Sequence, residues 1–167
     1  MDKKKKAARY GRIYNQIEGL LKKSNNQLAH KATIIAVLHH KMEYFFWTGF
    51  YMLVDGELTV EMYQGSVACQ ILAKNKGVCW AAINQKKTLV VENVEEFPDH
   101  IACDSRSKSE IVVPLRDRSG KITGVLDVDS KELASFDEVD AEWLEKIIGL
   151  LKSEQYYRLD SFLPSNR

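Results

Sequence analysis

The residues richest in chemistry lie in the stretch His100-Ile101-Ala102-Cys103-Asp104-Ser105-Arg106-Ser107-Lys108-Ser109-Glu110. There a thiol on a polar loop stands seven residues before a carboxylate that opens the apolar run Ile111-Val112-Val113-Pro114-Leu115. Cys69 and Cys79 are the remaining cysteines, both near expected turns. An odd number of cysteines is a poor disulfide framework, and the pattern points to thiol redox chemistry. A Cys₃His zinc site with His100 is not expected, because neither a close cysteine pair nor a paired Cys-His spacing is present.

Two further carboxylates occur as Asp127-Val128-Asp129. On a strand they project to one face, with Leu126 and Val128 on the other. If that face lines a pocket, repulsion and desolvation raise at least one pKa, giving a neutral acid able to donate a proton, and the group that stays ionised can pair with an ammonium. The same carboxylates disfavour a thiolate at Cys103, which unperturbed is only roughly 3% ionised at neutral pH. Arg106, Lys108, protonation of one carboxyl, or the ammonium of a bound ligand are the candidate compensations. Trp47 and Tyr51, four apart on a strand, can form an aromatic wall or simply fill core.

The elements that must position these groups follow from periodicity. Helices are expected over 10–21 and 25–42, the second with Leu28, Ala32, Ile35 and Leu38 on one face and Ser24 or Asn25 as cap. His39-His40 at its end decorates the negative end of the helix dipole. An aromatic strand over 45–53, a turn at Asp55-Gly56 and a strand over 58–63 form a hairpin. A loop over 64–70 and a short helix from Gly77 follow, then strands over 88–91, 111–115 and 122–128, the last two joined at Ser119-Gly120. The segment from Val94 to Ser109 is a long polar loop of the kind that forms lids and binding elements. Ser135-Phe136-Asp137-Glu138 reads as a capping box before a helix with Val139, Trp143, Leu144, Ile147 and Leu151 on its apolar side. The order implies an α+β domain, a mainly antiparallel sheet covered by helices on both faces.

With 167 residues, 45% hydrophobic content and a formal net charge of +1, the chain fits one ordinary domain and offers no global field for nucleic acid or an anionic membrane. Lys3-Lys4-Lys5-Lys6 lacks the apolar segment of a signal peptide and reads as a solvated tail. The run from Ala32 to Leu38 is far too short to span a bilayer. A cytoplasmic protein is expected, with residues 1–14 as a basic tail and helix start, 15–160 as one domain, and 161–167 as a C-terminal tail.

Phe46-Trp47-Thr48-Gly49-Phe50-Tyr51, Gly77-Val78-Cys79, His100-Ile101-Ala102-Cys103-Asp104, Ser107-Lys108-Ser109-Glu110-Ile111-Val112-Val113-Pro114-Leu115 and Gly124-Val125-Leu126-Asp127-Val128-Asp129-Ser130 resemble the corresponding segments of free methionine-(R)-sulfoxide reductases, which are stand-alone GAF domains. The resemblance runs in order from about Asn15 to Leu151. Two positions depart from it: Val67 stands where proline is usual before Ala-Cys, and Trp80 where glycine usually follows Val-Cys. Neither removes a reactive group, but both bear on which thiol acts as resolver.

The resemblance implies reduction of free L-methionine-(R)-sulfoxide without metal or organic cofactor, and a role in oxidative stress. Such chemistry needs a thiolate aimed at sulfur, an acid for the departing oxygen and a second thiol to clear the sulfenic acid. Cys103 fits the first role and a carboxyl among Glu110, Asp127 and Asp129 the second. Cys69 or Cys79 fits the third, with Cys69 favoured by its polar setting. Trp47 and Tyr51 would wall the substrate, and Glu110, Asp127 or Asp129 would hold its ammonium. The resemblance further implies a redox-active disulfide recycled by a thioredoxin-like reductant, and a homodimer. The rival reading is a non-catalytic sensory GAF module that binds a small ligand. It would be expected to regulate an attached effector domain, and it has no need of a reactive thiol.

Overall fold

Asp55 and Gly56 both adopt positive φ, 50° and 84°, as a tight hairpin turn requires. The strands on either side pair antiparallel as β1 (Trp47–Val54) and β2 (Glu57–Gln64). The computed structural model describes residues 2–100 and 103–151. The remaining elements are α1 (Lys3–Leu21), α2 (Gln27–Lys41), β3 (Ile71–Leu72), α3 (Gly77–Gln85), β4 (Leu89–Val91), β5 (Ser109–Arg116), β6 (Ile122–Ser130) and α4 (Glu138–Ile148). The strands form one six-stranded sheet in the order β3-β2-β1-β6-β5-β4, with every neighbouring pair antiparallel. This is the α+β architecture expected. The expected tail over 161–167 and the end of the domain beyond 151 lie outside the described residues.

Period-2 alternation divides the sheet into two working faces. Phe50, Met52, Ile111, Val113, Leu115, Leu126 and Val128 pack against α1, α2 and α4. Trp47, Tyr51, Val112 and Val125 face the other way, into a second core with Val78, Cys79, Trp80 and Ala82 of α3. The carboxylates are on this second side because Glu110 shares parity with Val112, and Asp127 and Asp129 share parity with Val125.

Several local expectations are corrected. Lys3 to Lys6 form the first turn of α1 instead of a solvated tail, and Lys6 is buried. The cap of α2 is Asn26, whose side chain accepts from Leu28 and Ala29 N–H. Leu28 and Ala32 are exposed, and the helix turns Ile34, Ile35 and Leu38 inward. The capping box belongs to Asp137 and Asp140, two residues later than the sequence suggested. The strand β3 went unforeseen, since two residues carry no periodicity.

The buried Lys6 has a physical cause. Its Nζ donates to Asp140 at 2.6 Å and Asp137 at 2.9 Å, while Asp140 Oδ1 accepts from the Tyr10 and Tyr44 hydroxyls at 2.7 and 2.5 Å. Asp140 Oδ2 also accepts from the Asp137 N–H. Each charge is thus met by several partners, which is the condition for burying an ion pair without net loss. The network fastens α1 to the start of α4, beside the stacked rings of Tyr10 and Trp143.

Lys6→Met should lower stability by about 3 kcal/mol, because removing one partner leaves a buried charge uncompensated. Tyr10→Phe should lower it by about 1–3 kcal/mol through one lost hydrogen bond to that carboxylate. Urea unfolding monitored by fluorescence checks both; a midpoint shift of Lys6→Met no larger than that of an exposed lysine variant such as Lys4→Met contradicts the network's role.

Candidate active site

The register of β5 and β6 sets Glu110 directly opposite Asp129, and Val112 opposite Asp127. The three carboxyls therefore converge from two adjacent strands onto one cavity. Trp47 and Tyr51 of β1, Cys79 at the start of α3, and His100, Cys103, Asp104 and Ser107 of the long loop also line it. These are the groups that the sequence had singled out, except Cys69, which is not among the lining residues, with His100, Asp104 and Ser107 added.

Glu110 and Asp127 are buried and Asp129 is half-buried, and desolvation is the largest influence on each. It raises Asp127 to about 7, against the opposing effect of Glu110 and Cys79. It also raises Glu110, where Asp127 and Asp129 add to the effect, and Asp129, where Asp127 adds to it. The Ser107 hydroxyl partly offsets the rise at Asp129. The Oδ1 atom of Asp127 is buried with no hydrogen-bond partner among the described residues. A native structure rarely leaves such an atom unpaired unless a ligand or catalytic role accounts for it.

The thiols divide sharply. Cys69 and Cys103 are joined in a disulfide with Cα atoms 5.7 Å apart, linking the loop after β2 to the loop before β5. Cys103 is exposed and Cys69 half-buried. Cys79 is a free, buried thiol whose Sγ lies 4.0 Å from Glu110 Oε1. Burial, then Asp127, Glu110 and Asp129, push its pKa well up, which opposes thiolate formation. Of the two expected resolvers, the one bonded to Cys103 is Cys69.

The cations expected to offset the carboxylates are otherwise engaged. Arg106 donates from Nε and Nη2 to the two oxygens of Asp104, at 2.9 and 2.6 Å, and its guanidinium lies 4.9 Å above the Phe46 ring. Lys108 pairs with Glu95 at 2.7 Å. These contacts position the Cys103 loop, with the Arg106 fork holding Asp104 well below the usual carboxylate range.

The aromatic wall also holds the Cys69 loop. Trp47 Nε1 donates to the Ser66 carbonyl and the Tyr51 hydroxyl to the Cys69 carbonyl, both at 3.1 Å. The indole stacks with Tyr51 at 5.8 Å and with Tyr63 at 5.4 Å. It can do so because Gly49 and Gly65 leave room: a Cβ at position 49 would overlap the indole and Tyr63, and one at 65 would come within 2.8 Å of it. Tyr63, Gly49 and Gly65 escaped the sequence reading, since only the hairpin register brings them to Trp47. The departures also have local explanations. Val67 is 82% exposed, free of any packing that a proline would serve. Trp80 is buried and donates to the Leu72 carbonyl, holding β3 against α3.

Known proteins share this arrangement of elements. Residues 38–152 match the GAF domain. The chain is 49% identical to GAF domain-containing protein A of Dictyostelium discoideum, over 90% of this chain and 95% of that protein. It is 34% identical to the free methionine-R-sulfoxide reductase of Escherichia coli, over 86% of each. The X-ray structure of free methionine-R-sulfoxide reductase from Neisseria meningitidis in complex with its substrate superposes with a TM-score of 0.83 at 43% identity, covering 88% of both chains. The sheet order, the cavity and these similarities agree, and the chain belongs to the GAF-domain family, among the free methionine-R-sulfoxide reductases.

Proposed function

We propose that the protein reduces free L-methionine-(R)-sulfoxide to methionine by thiol chemistry at Cys103. The observation that carries this reading is one cavity lined by Cys103, an aromatic wall and three converging carboxyls. A thiol able to form a disulfide supplies the electrons. Trp47 and Tyr51 offer apolar surface to the thioether carbons. The carboxyls offer a proton and a counter-charge for the α-ammonium. Lys76, Gly77 and Val78 at the start of α3 line the same cavity, and among the described residues no side-chain cap hydrogen bond is made at the N-cap, Lys76. Its free N–H groups suit the α-carboxylate.

In the proposed cycle the Cys103 thiolate attacks the sulfoxide sulfur, and one carboxyl among Glu110, Asp127 and Asp129 protonates the oxygen. The S–O bond breaks, methionine leaves reduced by two electrons, and Cys103 retains the hydroxyl as a sulfenic acid. Cys69 then attacks Cys103 Sγ and water departs, giving the Cys69–Cys103 disulfide. A thioredoxin-like dithiol returns the two electrons by exchange. With Arg106 and Lys108 occupied by Asp104 and Glu95, the substrate ammonium and carboxyl protonation are the remaining influences that favour a Cys103 thiolate, which couples thiol activation to substrate arrival. Cys79, unbonded and held neutral, has no electron-transfer step in this scheme. A cytoplasmic homodimer belongs to the same proposal through the family resemblance. A purely sensory GAF module would leave the loop disulfide without a task.

Cys103→Ser should abolish methionine formation even in a single turnover. Cys69→Ser should retain the first turnover and lose most subsequent ones when a protein dithiol is the reductant. Rapid quench with methionine quantification separates these outcomes, and a full first turnover by Cys103→Ser moves the nucleophile elsewhere.

N-acetylmethionine sulfoxide should be a poorer substrate by a factor of about a hundred to several thousand, since losing one side of a buried ion pair is worth roughly 3–5 kcal/mol. Equal kcat/KM for the free and acetylated substrates would remove the ammonium from the scheme. Glu110→Gln should impair reduction, mainly in kcat if Glu110 is the acid and mainly in KM if it holds the ammonium.

Without substrate and in metal-free buffer, the thermal midpoint should fall as pH rises through 7. The folded pKa of Asp127, about 7, exceeds the unfolded carboxylate value of about 4. The stability that Asp127 contributes is complete below that unfolded value and is lost as pH rises through the folded one. Asp127→Asn should flatten this decline; an unchanged slope assigns it to other groups.

A further inference from the structure

The cavity contains a second chemical possibility that the reductive cycle does not use. Cys79 Sγ, a Glu110 carboxylate oxygen and an Asp127 carboxylate oxygen lie within 4.8 Å of one another, and all three residues are buried. A tetrahedral ion with bonds of 2.0–2.3 Å needs ligand atoms roughly 3.6 Å apart. The 4.0 Å between Cys79 Sγ and Glu110 Oε1 is therefore close to a ligating distance already. Independently, Asp127 is 7% exposed, and its buried Oδ1 atom has no hydrogen-bond partner among the described residues. That is an acceptor prepared for a cation.

We propose that Cys79, Glu110 and Asp127 form a binding site for a thiophilic divalent cation of the zinc type, with its fourth position open to the cavity. The donor set is one sulfur and two oxygens, which suits zinc or cobalt better than magnesium or calcium, whose preferred shells are six or more oxygens. About 50 Å³ of cavity adjoins the three residues, enough for the ion's remaining water ligand. Binding replaces the Cys79 thiol proton by a sulfur–metal bond and displaces the protons that Glu110 and Asp127 hold, all of them released to solvent, with no change of oxidation state. The ion also relieves the mutual repulsion of the buried carboxylates. Because Glu110 and Asp127 are among the groups proposed to serve the substrate, an occupied site is incompatible with substrate in its proposed pose. The metal thus acts as an inhibitor and not as a cofactor.

The disulfide makes the test selective. In protein oxidised at Cys69–Cys103, Cys79 is the only free thiol. Titration with Co²⁺ should produce a near-ultraviolet sulfur-to-cobalt charge-transfer band that saturates at one equivalent and disappears on adding Zn²⁺. Cys79→Ser should lack the band. Glu110→Gln and Asp127→Asn should keep it but need about tenfold or more Co²⁺ to reach half-saturation, which guards against a Cys79 variant that fails to fold. No band in the oxidised wild-type protein, a band that persists in Cys79→Ser, or carboxyl variants that bind as tightly as wild type overturns the site. The readout is metal ligation, so it stands apart from the outcome of the sulfoxide assays.

Discussion

Holding Glu110 and Asp127, both buried, beside the half-buried Asp129 on one face of two paired strands is the constraint to which the rest of the structure answers. Ionised carboxylates so close together and so dry are strongly disfavoured, so protons, a ligand cation or both must share the site. A loop could relax to separate them. A central strand pair cannot, because Glu110 and Asp129 are held opposite each other by ladder hydrogen bonds with neighbours on both sides. The sheet thereby keeps the site away from its lowest electrostatic energy, leaving binding to complete it.

The opposite face of the sheet shows the contrasting solution. Lys6, Asp137, Asp140, Tyr10 and Tyr44 also place charge in the interior, but there the network is satisfied from within. One face uses buried polar groups to fix α1 and α4; the other leaves Asp127 Oδ1 without a partner among the described residues. That difference in satisfaction, more than any difference in burial, separates a structural polar cluster from a site.

Around the carboxyls, rigid and adaptable parts have distinct tasks. Trp47 and Tyr51 belong to a central strand, yet both reach out to carbonyls of the Cys69 loop. Arg106 ties the Cys103 loop through Asp104 and Phe46. The two loops carry the thiols joined in the disulfide, while the sheet carries the carboxyls. Cys79 lies on α3, among apolar neighbours and carboxyls that keep it a thiol, which sets it apart from the two cysteines in loops.

Strand periodicity alone put Asp127 and Asp129 on one face, the Asp55-Gly56 turn fixed the hairpin, and the residue types around Cys103 made it the candidate nucleophile. These features are local, so sequence spacing encodes them directly. The sequence left Cys69 and Cys79 both open as partners of Cys103, and it gave no hint that Lys6 is buried, that Gly49 and Gly65 clear space for Trp47, or that Cys79 meets Glu110 and Asp127. Each of those depends on contacts between distant segments, set by strand register and by how helices pack across the sheet. Spacing along a chain constrains which side chains share a face; only the folded arrangement decides which faces meet, and therefore which charges are paired and which are left waiting for a ligand.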